Sequence, residues 1–150
     1  MESIARKTVS VVSPCYNEEG NVRTCFETVA RIFRETLPDY RLEHIFVDNC
    51  STDRTQEILR EIAAEHPEVK VIMNARNFGV FRSSFNGLRY ATGDAIIVML
   101  PVDLQDPPEL IPTMLDLWRQ GNQVVYGIRR SLPDGPVVAA LRRGFYWFID

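Results

Sequence analysis

The chain has 150 residues, of which 45% are hydrophobic and 25% charged, values typical of one soluble globular domain with its own core. A net charge of −3 provides no general basic surface, which argues against nucleic acid as a partner. Three cysteines without a C-x-x-C pair predict reduced thiols in a cytosolic protein, and no signal peptide or membrane-spanning apolar run is visible.

The first half of the chain predicts two strands, each followed by a helix. Strand 9–13 precedes helix 21–35, and one helical stripe contains its apolar residues: Val22, Cys25, Phe26, Val29, Ile32 and Phe33. Asn21 is the predicted cap of this helix. Strand 44–47 precedes helix 53–65, in which Asp53 and Gln56 resemble a capping box.

The second half continues the alternation. Strand 69–73 precedes a helix expected to end at Gly93 and to bury these residues: Phe81, Ser84, Phe85, Leu88 and Ala91. Strand 95–100 is apolar at every position, which indicates burial on both faces, and a proline corner separates it from helix 110–120. Strand 123–126 is the fifth.

The C-terminal residues from Val137 onward follow a helical pattern, with Val137, Leu141, Phe145 and Phe148 on one face. This pattern shows no stop before Asp150, so we expect residues 1–150 to be one incomplete domain, truncated at the C-terminus.

The alternation of strands and helices predicts an α/β fold with a Rossmann-like, doubly wound, mainly parallel sheet. Its first strand should lie at the centre, between the second and the fourth. Ligands bind at the carboxyl edge of such sheets, where the strand order reverses. Three polar tips should therefore meet there: residues 14–19, 48–53 and 103–105.

Asp103 and Gln105 follow the fourth strand directly. Two oxygen ligands at this spacing suit a hard divalent cation, with phosphates of a ligand completing its shell. The alternative is an acidic, proline-rich turn without metal. The glycine motifs of classical dinucleotide and P-loop sites are absent, so a bound diphosphate would need a metal rather than a glycine nest.

The other tips contain candidate nucleotide contacts. Tyr16 could stack on a base and Glu18 could bind a ribose, or both lie in a solvated turn before a helix. Asp48 and Asn49 could hold a ribose hydroxyl, or act only through turn chemistry. Arg76 could balance a diphosphate, or be an ordinary surface arginine.

The four loops together resemble family 2 glycosyltransferases of the GT-A fold. The matching segments, in order over roughly residues 8–131, are VVSPCYNEE at 11–19, VDNCSTDRT at 47–55, RNFG at 76–79 and DLQDPPE at 103–109. The last segment points to the branch that transfers sugars to polyprenyl phosphates, which includes dolichyl-phosphate mannose synthases and bacterial undecaprenyl-phosphate glycosyltransferases.

This resemblance implies a role for each matching position. The nucleotide-binding residues would be Pro14, Tyr16, Glu18, Val47, Asp48, Asn49 and Arg76. Asp103 and Gln105 would hold Mg²⁺ or Mn²⁺ against the diphosphate, and Arg129 would face the acceptor phosphate, so that Asp103 and Arg129 are the catalytic pair. The sequence departs from the family at Pro101, where the first metal-binding Asp usually stands, and at Asn49, where the family often has a second Asp.

The resemblance implies inverting, metal-dependent transfer from a nucleotide-diphospho-sugar to a polyprenyl phosphate at the cytoplasmic face of a membrane. The membrane contact would come from the absent C-terminal part, and a homo-oligomer is possible. Two alternatives stay open. One is transfer to a saccharide hydroxyl, which needs a base from outside this chain. The other is a nucleotide-binding fragment without activity.

Overall fold

The computed structural model describes residues 6–98 and 100–128. Its elements in chain order are β1 (Lys7–Cys15), α1 (Val22–Thr36), β2 (Tyr40–Asp48), α2 (Thr55–Glu65), β3 (Val69–Met73), α3 (Val80–Leu88), β4 (Ala95–Ile97), a 3-10 turn (Pro108–Leu110) and α4 (Ile111–Arg119). Over these residues, no helix is both long and apolar enough to cross a bilayer.

The four strands form one parallel sheet in the order β3-β2-β1-β4. β1 pairs with β2 on one side and with β4 on the other, which confirms its predicted central place. The helices α1, α2 and α4 share one core cluster with the sheet, while α3 covers the opposite face. The predicted doubly wound α/β class is therefore confirmed.

α1 buries all six residues of the predicted stripe. This agreement follows from their spacing, because residues three and four apart lie on one helical face. Asn21 occupies the cap position, but its side chain makes no capping hydrogen bond and instead donates to Glu18 at 2.6 Å. α2 begins at Thr55, and Gln56 contacts Asp48, so the reciprocal capping box predicted for Asp53 and Gln56 is wrong.

The prediction for α3 is wrong for its two aromatic residues. Phe81 and Phe85 are 66% and 68% exposed, while Ser83, Ser84 and Gly87 form the buried face. The reason is close packing: a Cβ at Gly87 would lie 2.6 Å from Val12 Cγ1, so only a helix face of small residues fits against this sheet.

Gly93 does not terminate α3, which ends at Leu88. Gly93 instead lies against β1, where an added Cβ would be 2.7 Å from the backbone nitrogen of Ser10. Its amide also donates to Ser10 Oγ at 2.9 Å. The glycine is therefore required by a tertiary contact and not by a helix end.

β4 is shorter than predicted, because its ladder with β1 covers only residues 95–97. One further bond, from the Leu100 amide to the Val12 carbonyl at 3.0 Å, keeps the chain beside β1. The predicted fifth strand at 123–126 is wrong for the described structure: this segment is separated from β4 by a mostly apolar cleft of about 1360 Å³ and forms no ladder with it. A strand requires backbone partners as well as apolar residues.

Glu43 is a buried carboxylate that joins three strands to the segment after α3. It accepts hydrogen bonds from Lys70 (2.5 Å), from Thr92 Oγ1 (2.6 Å) and from Ser10 Oγ. Burial by itself raises the pKa of the Glu43 carboxyl, but these hydrogen bonds outweigh it and lower the pKa from 4.5 to about 2.

His44, next along β2, is fully buried, which lowers its pKa to about 3.

We expect the free energy of unfolding to fall as the pH drops below 6.5. The unfolded chain then protonates His44, which stays neutral in the fold until about pH 3. Glu43 stabilises the fold fully above pH 4.5, and this contribution is lost as the pH falls towards 2. Urea denaturation at a series of pH values measures the slope.

Glu43→Gln should lower the free energy of unfolding by about 3 kcal/mol at neutral pH, the value of a pKa shift of this size. It should also flatten the pH dependence between 4.5 and 2. Glu27→Gln, which alters an exposed carboxylate on α1, is the control. Equal pH slopes for wild type and Glu43→Gln would show that the Glu43 network does not stabilise the fold.

Candidate functional site

The tips of β1, β2 and β4 meet at the carboxyl edge of the sheet. The backbone amide of Asn49 donates to the Cys15 carbonyl at 2.9 Å, and the Leu100 amide donates to the Val12 carbonyl. The segments that follow the three strands therefore leave the sheet side by side. This is the place where the strand order reverses about β1. The geometry matches the position at which open α/β sheets bind ligands.

Each of the three tips contains one non-glycine residue in the left-handed region. These residues are Asn17 (φ 55°), Cys50 (φ 65°) and Leu104 (φ 57°), and they are all such residues in the described structure. Left-handed backbone is unfavourable for side chains with a Cβ, above all for Leu, and it concentrates at functional sites. The strained positions therefore mark the same edge as the topology.

The tips of β1 and β2 are fastened together by side chains that bond to backbone. Asn17 Oδ1 accepts from the Thr52 amide at 2.8 Å, and the Glu18 amide donates to Thr55 Oγ1 at 2.7 Å. Asp53 Oδ2 accepts from the Glu19 amide at 3.2 Å. These bonds fix the loop after β1 while the Tyr16 ring remains 44% exposed beside them.

Asp48 ends β2 and is completely buried. Its Oδ2 accepts from the Ser51 amide at 3.1 Å and from Gln56 Nε2 at 2.8 Å. Its Oδ1 has no hydrogen-bond partner within residues 6–98 and 100–128. A buried, unpaired carboxylate oxygen is costly, and it indicates a group that a ligand or a change at the edge would satisfy.

Asn49 is buried beside Asp48, and its Oδ1 accepts three hydrogen bonds. The donors are Ser83 Oγ (2.5 Å), Asn74 Nδ2 (3.1 Å) and the Phe78 amide (3.2 Å). Asn49 therefore holds the loop between β3 and α3 against the tip of β2. These three protein donors occupy the side-chain oxygen of Asn49, so its described role is to join the two loops.

The remaining predicted residues divide into buried and exposed groups. Pro14 and Val47 are paired in the β1–β2 ladder and buried, and Val47 lies under Gly87 of α3. Arg76 is exposed on the loop that Asn49 holds, with its guanidinium 4.8 Å from the centre of the Phe78 ring. Arg129 lies outside the described residues.

Asp103 and Gln105 are both exposed at the tip of β4. Asp103 Oδ1 accepts from the Gln105 amide at 3.1 Å, which shapes the turn around the left-handed Leu104. Pro101 offers no side-chain ligand. Among the residues that the structure describes, no group of three or more His, Cys, Asp or Glu side chains is placed to hold a metal.

Cys15 and Cys25 are buried packing residues. Burial raises the pKa of the Cys15 thiol far above its ordinary value, and burial raises the pKa of Cys25 to about 12. A neutral thiol is a poor nucleophile. The described geometry therefore does not favour chemistry through either Cys15 or Cys25.

Sequence reasoning did not identify the role that three residues play at this edge: Gln56, Asn74 and Ser83. Gln56 positions Asp48, while Asn74 and Ser83 bind Asn49. The sequence signals none of these contacts, since α3 contains other small or polar residues besides Ser83, among them Ser84 and Asn86. Each partner is at least eight positions away in sequence, so only folding reveals the contacts.

Asn49→Ala should lower the free energy of unfolding by about 1–3 kcal/mol, since three donors lose their acceptor. Hydrogen exchange at the Phe78 amide should become faster. Asn77→Ala is the control, because Asn77 accepts a local hydrogen bond, from the Gly79 amide at 2.8 Å. An unchanged Phe78 exchange rate in Asn49→Ala would contradict the assigned role.

Comparison with known proteins places the chain in a family. Residues 10–149 match the model described as glycosyl transferase family 2. The chain is 42% identical over 120 residues to the uncharacterized glycosyltransferase YkcC of Bacillus subtilis, covering 80% of this chain and 36% of YkcC. It is 39% identical over 139 residues to the prophage bactoprenol glucosyl transferase homolog of Escherichia coli, covering 92% of this chain and 44% of that protein.

The chain thus spans less than half the length of these two relatives. Among solved structures, it is similar to the mannosyltransferase PcManGT from Pyrobaculum calidifontis in complex with GDP-Man and Mn²⁺, with a TM-score of 0.59 and 24% identity. That match covers 75% of this chain and 32% of PcManGT and supports the fold. The chain belongs to glycosyltransferase family 2 and has the α/β architecture of the GT-A glycosyltransferases.

Proposed function

We propose that this chain forms the nucleotide-sugar donor site of an inverting glycosyltransferase whose acceptor is a polyprenyl phosphate. Family membership supports sugar transfer, and the similarity to a bactoprenol glucosyl transferase homolog supports a polyprenyl acceptor. The observation that carries the proposal is the meeting of three strained, polar strand tips where the strand order reverses. We place the enzyme at the cytoplasmic face of a membrane, and a homo-oligomer is compatible with this site.

The nucleotide part of the donor would lie against the tips of β1 and β2. The exposed Tyr16 ring is available for stacking on a base. Asp48 Oδ1 would accept a hydrogen bond from the base or ribose, and Gln56 keeps the carboxylate turned for this purpose. Glu18 lies in the loop after β1, two residues from Tyr16. The buried residues Pro14, Val47 and Asn49 would support the site from within the protein and not through solvent-exposed side chains.

The diphosphate would lie between the tip of β4 and the loop that contains Arg76. Asp103 and Gln105 fit a hard Mg²⁺ or Mn²⁺ ion that is held by one carboxylate, one amide oxygen, water and the phosphates of the donor. A bound ion of this kind neutralises charge on the departing nucleoside diphosphate. Because Pro101 offers no side-chain ligand, Asp103 is the one carboxylate of the Asp103–Gln105 pair, and the phosphates and water would supply most of the remaining ligands.

The acceptor needs little activation by the protein. A phosphate oxygen is already anionic at neutral pH, so no general base is required for attack on the anomeric carbon. The protein would contribute by holding the two reactants in line. Asp103 would fix the diphosphate end of the donor, and Arg129 would bind the acceptor phosphate as the second catalytic residue.

We expect this chain to bind one of UDP, GDP and CDP more tightly in the presence of Mn²⁺, as measured by calorimetry. Asp103→Asn should weaken the metal-dependent part of this binding by at least about tenfold, because it removes the charged ligand. Asp116→Asn, an exposed carboxylate on α4, is the matched control. Equal Mn²⁺ dependence in wild type and Asp103→Asn would overturn the metal assignment.

The acceptor is tested separately on a full-length protein that contains this chain. Incubation with the preferred nucleotide-sugar and undecaprenyl phosphate should give a glycosyl-phospholipid of inverted anomeric configuration. Products formed only on saccharide hydroxyls would overturn the acceptor class while leaving the donor site intact.

A further inference from the structure

The outer face of α3 exposes aromatic residues together with arginines. We define this outer α3 face as Phe81, Arg82, Phe85 and Arg89, all of which are exposed. We propose that the outer α3 face docks on the surface of an anionic phospholipid membrane. The argument rests on the direction of the face, its charge and its place beside the carboxyl edge.

The direction of the face excludes a role in the core of the sheet. At about 100° per residue, the four side chains of the outer α3 face fall within roughly 100° of arc. The buried side of α3, formed by Ser83, Ser84 and Gly87, lies on the opposite side of the helix. A further helix on the same sheet face would lie beside α3, whereas the two phenylalanines are directed away from the sheet.

The positive charge around α3 favours an anionic partner. Residues 74–93 contain three arginines and no Asp or Glu, although the whole chain has a net charge of −3. Aromatic side chains enter the boundary between headgroups and acyl chains, and arginines beside them attract anionic headgroups. A partner with the same basic face is disfavoured, since a symmetric dimer through α3 would place arginines against arginines.

The outer α3 face adjoins the candidate site. α3 begins at the end of the loop that Asn49 fastens to the tip of β2, and Arg76 and Phe78 stack on that loop. A bilayer that contacts α3 would therefore lie near the carboxyl edge. The proposed function puts the enzyme at a membrane without naming a contact, and this proposal names the outer α3 face as that contact. Vesicle binding through α3 requires neither a sugar donor nor turnover.

The test is sedimentation of this chain with phosphatidylcholine vesicles that contain or lack phosphatidylglycerol. Binding should require phosphatidylglycerol and weaken at high salt. Arg82→Ala combined with Arg89→Ala should weaken the partition constant about thirtyfold, which is about 2 kcal/mol, from roughly 1 kcal/mol for each arginine near an anionic surface. Phe81→Ser combined with Phe85→Ser should also reduce binding, with less dependence on salt.

Arg31→Ala combined with Arg34→Ala provides the matched control, because these two arginines are exposed on α1 at the other face of the sheet. This double variant should bind vesicles as the wild type does. Thermal unfolding of every variant checks that the fold is retained. An equal loss of vesicle binding in the α1 and α3 arginine variants would indicate nonspecific attraction of the chain's arginines to the anionic lipid. That result would overturn the proposal.

Two other results would also overturn it. Binding that is unchanged by both α3 variants would place the membrane contact elsewhere on the chain. A concentration-dependent dimer that Phe81→Ser with Phe85→Ser abolishes, without any vesicle binding, would make a second copy the partner. Because the assay contains no nucleotide-sugar, none of these results decides whether the chain binds a donor.

Discussion

The central place of β1 is the constraint on which the rest of the structure depends. β1 is paired along its length with β2 and over three residues with β4, and the buried side chains of both its faces form the core. Because all neighbours are parallel, their carboxyl ends must emerge at one edge. The polar loops that follow each strand are thereby brought together, and the left-handed residues in them show where the backbone turns sharply.

Polar side chains at the two ends of the sheet have different structural tasks. Glu43, towards the amino end of β2, accepts bonds from three residues and joins the strands to the segment after α3. Asn49, at the carboxyl end, joins two loops through a single oxygen. Asp48 differs from both, because one of its buried oxygens is without a partner in the described structure. Glu43 and Asn49 thus fasten neighbouring segments together, whereas, in the described part of the chain, Asp48 keeps one buried oxygen unpaired at the edge where we propose the donor site.

The packing of α3 links the fold to its proposed surroundings. Gly87 allows the helix to approach Val12 and Val47 closely, and this contact orients the small residues inward. The phenylalanines must then point outward, where arginines accompany them. The proposed donor edge and the proposed membrane-docking face are therefore neighbours in the fold, because α3 begins at the end of the loop that Asn49 fastens to the tip of β2.

The sequence by itself determined the fold class, the helical stripe of α1, the central place of β1 and the family, because periodicity and short motifs are local signals. It also located the tips that contain Tyr16, Asp48 and Asp103. The tertiary structure decided which side of α3 is buried and why Gly93 is a glycine. It also decided that 123–126 is not a strand and that Asn49 bonds to protein donors. These outcomes depend on backbone approach and on partners distant in sequence, such as Ser10 with Gly93 and Asn49 with Ser83, and no local pattern encodes them.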